Sequence, residues 1–141
     1  MNTVYKVCRG VNGEYRSTYP PEFGGRFDLA YEISAETRAV EGSIGLLVFP
    51  DLEDAARFCQ WDACPQWDWH VLKCTTEHEP QRRERILRRA SSKLGYWTDQ
   101  QKRDASRFTP RPAPHGTYTV PSLTPVAEVT YEEWRVNHEQ G

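Results

Sequence analysis

The pattern of apolar residues along the chain predicts a series of short strands and one well-marked helix near its middle. Residues 46–49 form a wholly apolar run that is typical of a buried strand, and Pro50 ends it. Asp51 follows as an N-cap for a helix. Apolar residues then recur at helical spacing, at Leu52, Ala55, Ala56 and Cys59. We therefore expect a buried strand that runs directly into a helix packed on the sheet.

Alternating residues predict more strands on both sides of this unit. Thr3–Arg9 alternates, and Asn12-Gly13 after it is a strong signal for a tight hairpin, because both residues tolerate positive φ. Glu14–Tyr19 is the expected returning strand. The remaining predicted strands are Leu29–Ile33, Trp69–Thr76, Tyr118–Val120 and Val126–Tyr131.

A second helix is predicted after Pro80, which suits the first turn of a helix. Its apolar stripe is Ile86, Leu87, Ala90 and Leu94, and Gly95 suits the C-terminal cap. Two helices, a hairpin start and no strict alternation of strand and helix predict the α+β class. We expect a mixed, mostly antiparallel sheet with about two helices packed on one side.

The chain of 141 residues has the length of one domain, which we place at residues 1–131, with a tail at 132–141. No apolar run approaches the roughly 18 residues that a membrane span requires. The N-terminus lacks the features of a signal peptide. These observations predict a cytoplasmic protein with reduced thiols, without membrane contact and without a cofactor.

Charge is distributed unevenly although the net charge is only −2. The first 80 residues carry 7 Lys or Arg and 13 Asp or Glu, residues 81–111 carry 10 and 3, and residues 112–141 carry 1 and 4. A basic middle between acidic ends either complements the rest of the chain or serves a partner.

A succession of short segments along the chain forms a pattern: Tyr5-Lys6-Val7-x-Arg9, Ser17, Tyr31-Glu32-Ile33, Gly45-Leu-Leu-Val-Phe-x-x-Leu-Glu-Asp-Ala55 with Phe58, Gly116-Thr-Tyr118 and Ser122-Leu-Thr-Pro-Val126. This pattern resembles small uncharacterised proteins of bacteriophages and prophages. The resemblance implies no catalytic residues. It implies a phage-type accessory protein that binds a component of the host cell, including components of defence systems.

Cysteine and histidine residues suggest a zinc site, but their spacing argues against one. Cys59, Cys64, His70 and Cys74 are suitable ligand types, yet no Cys-x-x-Cys pair is present. In a regular strand His70 and Cys74 lie about 13 Å apart, at about 3.3 Å per residue. We predict buried free thiols and no metal site.

Arginines dominate the second predicted helix and suggest a nucleic-acid surface. Arg82, Arg85, Arg89 and Lys93 lie on one ridge of that helix. Such a ridge could neutralise phosphates while Trp97 and neighbouring aromatic residues stack on bases. The alternative interpretation is a solvated face balanced by the acidic first half.

The first strands carry a third candidate site, formed by Arg9, Arg16, Ser17 and Tyr31. Arg offers a bidentate fork that suits a phosphate, and hydroxyl groups add donors. An Arg, a Ser and a late Glu, at Glu128 or Glu132, also resemble the set used by ADP-ribosyltransferases to hold NAD. The Ser-Thr-Ser and Glu-x-Glu elements of those enzymes are missing.

Three tryptophans, Trp61, Trp67 and Trp69, offer core residues or an exposed anchor for a partner.

Taken together, the residues favour a non-catalytic binding protein that engages a host protein or a nucleotide-like ligand through Arg and aromatic side chains. The alternatives are an NAD-using transferase and a nucleic-acid-binding protein. The sequence leaves the partner and the oligomeric state open.

Overall fold

The computed structural model describes residues 1–17, 29–39, 45–59, 68–83, 85–86, 111–112, 116–130 and 132–133. These residues form strands and one short helix, α1, at Leu52–Arg57. In chain order the strands are β1 Asn2–Val11, β2 Glu14–Arg16, β3 Ala30–Tyr31, β4 Thr37–Arg38, β5 Leu46–Val48, β6 Trp69–Thr76, β7 Gln81–Arg82, β8 Arg85–Ile86, β9 Arg111–Pro112, β10 Tyr118–Val120 and β11 Ser122–Val129.

The two long strands β1 and β6 form the centre of the main sheet. They pair antiparallel without interruption from Asn2 opposite Thr76 to Arg9 opposite Trp69. β11 continues the sheet on the far side of β6, with a register shift between Pro125 and Ala127. The complete strand order is β3-β2-β1-β6-β11-β4.

This sheet is strongly curved, so that its two outer strands approach each other. β3 and β4 stand at opposite ends of the strand order, yet Thr37 Oγ1 on β4 donates a hydrogen bond to the Ala30 carbonyl on β3 at 3.2 Å. The turn between them also reaches β11, where the Ser34 amide donates to the Pro125 carbonyl at 2.8 Å. The main sheet therefore has a concave face and a convex face.

Alternation along β1 and β6 sends apolar side chains to both faces, and each face has its own cover. On the concave face, Val4, Cys8, Leu72 and Cys74 pack with residues of β5 and β10, which form a second sheet in the order β5-β10-β7. On the convex face, Val7 and Val71 pack against Phe49 and α1. The chain passes from one cover to the other at Phe49, which exchanges two backbone hydrogen bonds with Tyr5.

Several sequence predictions are confirmed. Asn12 and Gly13 have positive φ and join β1 to β2 as a hairpin. The strand Trp69–Thr76 has the predicted bounds. The apolar run 46–49 contains β5 and leads into α1, where the Asp51 carboxylate accepts a hydrogen bond from the Glu53 amide at 2.8 Å.

The predicted α+β class with two helices packed on one side is wrong. The described chain is mostly antiparallel sheet with one short helix. Where the second helix was expected to start, Gln81 and Arg82 pair with β10, and the Arg83 amide donates to the Thr117 carbonyl at 2.9 Å. These pairings satisfy the backbone in extended form and override a helical propensity that is weak by comparison.

Two smaller predictions also change. No strand was predicted between residues 34 and 43, but Thr37–Arg38 form β4, which pairs with the edge of β11. The last strand starts at Ser122, earlier than predicted. Residues 87–95 of the second predicted helix and residues 134–141 of the predicted tail lie outside the described residues. Within the described ranges, no helix has the length and apolar character of a membrane span.

We predict that Leu72→Ala destabilises the fold far more than Lys73→Ala. Leu72 is fully buried between the two sheets, whereas its neighbour Lys73 is exposed. Truncation of a buried leucine leaves a cavity and costs about 2–5 kcal/mol of the free energy of unfolding. Urea unfolding monitored by tryptophan fluorescence measures both variants. Similar losses for both would contradict the placement of the core.

Candidate functional site

Arg9 and Arg16 lie side by side on the convex face of the main sheet. They are direct partners across the β1–β2 pair, so their side chains point the same way. Arg9 is buried, whereas Arg16 is partly exposed and binds the Glu14 carboxylate at 3.1 Å. The structure therefore brings the two predicted arginines together but leaves only Arg16 open to solvent.

The other two residues of this predicted site, Ser17 and Tyr31, belong to the concave face. Both are buried. Ser17 Oγ accepts a hydrogen bond from the Leu29 amide at 3.0 Å, and the Tyr31 ring lies 5.4 Å from the Lys6 ammonium. The structure does not bring the four predicted residues to one point, because adjacent positions of a strand face opposite sides.

The arginine ridge does not form over the described residues. Arg82 is exposed on β7, and Arg85 belongs to β8, so these two residues do not share a helix face. Arg89, Lys93 and Trp97, together with Trp61 and Trp67, lie outside the described residues. Trp69 is partly buried and packs edge-to-face against Phe58 at 6.2 Å.

A different polar group occupies one end of the concave face. We call it the His70 cluster; it consists of Tyr15 on β2, Asp68 directly before β6, His70 on β6 and Glu128 on β11. His70 Nδ1 lies 2.7 Å from Glu128 Oε2, and His70 Nε2 lies 2.9 Å from Asp68 Oδ2. The Tyr15 hydroxyl donates to Glu128 Oε1 at 2.6 Å. The Tyr15 and His70 rings meet edge-to-face at 5.5 Å.

The curvature of the sheet makes this cluster possible. β2 and β11 are three strand spacings apart, which is about 14 Å in a flat sheet at about 4.8 Å per spacing. Side chains on a flat sheet would run parallel and would not meet across that distance. Because the sheet curls, Tyr15 and Glu128 converge above β1 and β6. The cluster thereby joins strands that are not neighbours in the sheet.

Hydrogen bonding fixes the protonation state of the cluster. A carboxylate only accepts hydrogen bonds, so a ring with a carboxylate at each nitrogen must donate from both and is an imidazolium. Partial burial opposes this charge, but the hydrogen bonds that His70 donates to Glu128 and Asp68 outweigh it and raise the pKa of His70. The hydrogen bond to Glu128 raises the pKa of Tyr15 to about 12, so the phenol stays neutral.

Glu128 responds in the opposite direction. Burial raises the pKa of its carboxyl group, but the hydrogen bonds from His70 and Tyr15 exceed that effect and lower it. Near neutral pH the cluster therefore consists of two carboxylates, one imidazolium and a neutral phenol. Its net charge is about −1.

The described part of the chain offers neither a free imidazole base in this cluster nor an accessible thiolate. Both nitrogens of His70 are occupied, so the ring has no lone pair with which to accept a proton. The described thiols of Cys8, Cys59 and Cys74 are buried, and burial raises the pKa of Cys59 and of Cys74 to about 12. A buried, protonated thiol is a poor nucleophile.

The cluster also differs from a metal site. Asp68 and Glu128 lie at opposite nitrogens of the imidazole ring and therefore do not converge on one point. Among the described residues, no group of three or more His, Cys, Asp or Glu side chains is arranged to hold a metal ion. Cys59 and Cys74, considered as zinc ligands from the sequence, belong to separate core clusters.

A second unusual polar residue, Lys6, lies deep in the concave face. Its ammonium donates to the Leu47 carbonyl at 2.8 Å and lies over the Tyr31 ring. Burial lowers the pKa of Lys6, while the nearby thiols Cys8 and Cys74 oppose that effect. Lys6 therefore ties β1 to β5 inside the protein, where it is only 4% exposed.

Sequence reasoning missed the His70 cluster. His70 was considered only as a zinc ligand, Glu128 only as a transferase residue, and Tyr15 and Asp68 were not considered. One signal was available: His70 alternates with Leu72 and Cys74, which puts an ionisable residue on an apolar strand face. Its partners could not be found this way, because 113 residues separate Tyr15 from Glu128.

No protein-family model, no curated protein and no solved structure matches this chain. For this chain, the geometry and chemistry of the site itself are the guide to function.

We predict that Tyr15 and Glu128 are energetically coupled. Tyr15→Phe and Glu128→Gln each remove part of the same hydrogen bond, so the double variant should lose less stability than the sum of the single variants. We expect a coupling of about 1–2 kcal/mol, since the hydrogen bond has a charged acceptor and is partly exposed. Chemical denaturation of the four proteins measures it. Strict additivity would contradict the contact.

We also predict that the cluster stabilises the fold over a limited pH range. The pKa of His70 is raised, so its contribution is complete below its ordinary value of 6.5 and is lost as the pH rises through the folded value. The pKa of Glu128 is lowered, so its contribution is complete above 4.5 and is lost as the pH falls through the folded value. The wild type should therefore exceed His70→Gln in free energy of unfolding by the largest amount at intermediate pH. This difference should become smaller as the pH is lowered or raised from there. A difference that does not vary with pH would contradict this assignment.

Proposed function

We propose that this protein is a small, non-catalytic binding protein that engages a host protein through one end of its curved sheet. We call that surface the hairpin end; it comprises residues 10–16, 68–70, 128–130 and 132–133. The setting is the one that the phage resemblance implies, an accessory protein in the cytoplasm of the host cell. The observation that carries the proposal is the His70 cluster, a partly exposed group of four side chains held together across non-adjacent strands.

Charge at the hairpin end supports a partner with a basic surface. Its sequence contains five acidic residues, Glu14, Asp68, Glu128, Glu132 and Glu133, against Arg16 and His70. The side chains of Asp68 and Glu14 are 71% and 60% exposed. Carboxylates at the rim attract Lys and Arg side chains and repel phosphates, which favours a protein partner over a nucleotide or a nucleic acid.

The rigidity of the cluster supports recognition as well. Hydrogen bonds hold the Tyr15, His70 and Glu128 side chains to one another, so these three lose little conformational entropy when a partner binds. Tyr15 adds a partly exposed aromatic ring, a residue type enriched in protein interfaces. The hairpin end thus combines a preorganised polar group with a surrounding rim of negative charge.

The transferase alternative receives less support from the same geometry. Glu128 points to the concave face, whereas Arg9 and Arg16 point to the convex face. An NAD site that used these residues together would need them on one side of the sheet. Glu128 is also engaged by His70 and Tyr15.

We predict that charge at the hairpin end determines partner capture. The double variant Glu14→Gln/Asp68→Asn removes two carboxylates there, and Glu77→Gln/Glu79→Gln removes two exposed carboxylates from the opposite end of β6. Tagged proteins are incubated with host extract, and captured proteins are quantified at low and moderate salt. We expect the first variant to capture at least about tenfold less of a specific partner than the wild type captures. The control variant should capture as much of it as the wild type.

Equal capture by all three proteins, or equal loss in both variants, would contradict the assigned surface. Transfer of label from NAD to a host protein, abolished by Glu128→Gln, would replace this proposal with the transferase. Captured nucleic acid, lost as salt increases, would replace it with nucleic-acid binding.

A further inference from the structure

Asp68 reaches His70 through a space that exists only because residue 10 is glycine. A Cβ atom at position 10 would lie 2.5 Å from Asp68 Oδ2 and 2.8 Å from His70 Nε2. Gly10 does not have a positive φ, so its backbone conformation does not itself require glycine. The Gly10 amide also donates to the Asp68 carbonyl at 2.7 Å and holds that segment beside β1. What glycine provides at this position is room for the Asp68–His70 contact.

The contact depends on a proton. A neutral imidazole has one N–H group, so it can donate to Glu128 or to Asp68 but not to both. When His70 releases a proton to solvent, one ring nitrogen has a lone pair in place of its N–H bond. This lone pair faces a carboxylate oxygen less than 3 Å away, so that contact becomes repulsive. One of the two carboxylates must then move away.

Asp68 is the carboxylate that can leave. Glu128 makes the shorter contact with His70, at 2.7 Å against 2.9 Å, and Tyr15 holds its other oxygen. The side chain of Asp68 is 71% exposed, whereas that of Glu128 is 35% exposed. Rotation of Asp68 into water therefore disturbs less of the structure than displacement of Glu128.

Three neighbours of His70, namely Tyr15, Cys8 and Glu128, have pKa values that are shifted away from neutral pH. β2 contributes Tyr15, whose pKa is about 12, and β1 contributes Cys8, opposite His70, whose pKa is raised by burial. β11 contributes Glu128, whose pKa is lowered. Lys6 lies farther along β1 and is buried, and Asp68 itself is next to solvent. His70 is therefore the group of the cluster that titrates in this range.

We propose that Asp68 and His70 form a proton-controlled latch: protonated His70 holds Asp68 against the sheet, and loss of that proton releases Asp68 to solvent and to a basic partner. Loss of the proton from His70 to solvent changes the net charge of the cluster from about −1 to about −2, and release of Asp68 makes one of these carboxylates available to the partner. The latch is a property of the isolated protein, whereas its effect on partner binding rests on the proposed function.

The latch is tested first without a partner. Ring-nitrogen resonances of His70 and the side-chain carboxyl carbon of Asp68 are followed by NMR as the pH is raised. We expect both to change at one midpoint above 6.5, the ordinary value for histidine. Gly10→Ala should displace Asp68 and, like Asp68→Asn, increase the acid dissociation constant of His70 about three- to tenfold. Glu77→Gln, which removes an equal charge at the other end of β6, should leave it unchanged.

The second test measures binding to an oligolysine peptide as a basic probe. The wild type should bind it more tightly as the pH rises through the His70 midpoint, whereas Asp68→Asn should lose most of this pH dependence. If the pH midpoint of the His70 titration is the same in the wild type, Gly10→Ala and Asp68→Asn, the latch is overturned and the proposed function still stands. If His70 and Asp68 change at one midpoint but the wild type and Asp68→Asn show the same pH dependence of oligolysine binding, the role of Asp68 in binding is overturned. Normal partner capture by Glu14→Gln/Asp68→Asn would overturn the proposed function alone.

Discussion

The structure depends on the uninterrupted antiparallel pairing of β1 with β6. This ladder joins the start of the chain to its middle and supplies both faces on which the rest of the protein packs. β11 adds to β6, β2 adds to β1, and the small sheet and α1 cover opposite faces. Because side chains alternate along a strand, the same two segments must provide apolar residues for two cores. This requirement explains why Val4 and Leu72 serve one core while Val7 and Val71 serve the other.

Curvature converts this scaffold into a site. The approach of β4 to β3 brings β2 and β11 close together over the concave face, and Tyr15 can then reach Glu128. His70 lies between two carboxylates at the end of this face, so its charge is stabilised by groups from its own strand and from β11. A glycine on β1 leaves the space that this arrangement needs. Fold, electrostatics and proposed binding thus share one cause, the closure of the sheet around its concave face.

The polar residues of the protein fall into two physical classes. Lys6 is enclosed, where its side-chain nitrogen donates to a carbonyl and lies over an aromatic ring, so it contributes to the assembly of the core. Asp68, His70 and Glu128 remain in partial contact with water, so their hydrogen bonds can be exchanged for contacts with a partner. Buried thiols and the buried Arg9 belong with the first class. Exposure, more than residue type, separates the structural residues from the candidate functional ones.

The sequence alone determined the local elements: the hairpin at Asn12-Gly13, the capped helix after Asp51 and the strand that contains His70. These follow from turn chemistry, capping and alternation, which act over a few residues. Tertiary structure decided the rest. Gln81 and Arg82 are extended because β10 offers backbone partners, although their neighbours have a helical pattern. Tyr15 meets Glu128 because the sheet curls, and sheet curvature depends on pairings between distant strands that local sequence patterns do not contain.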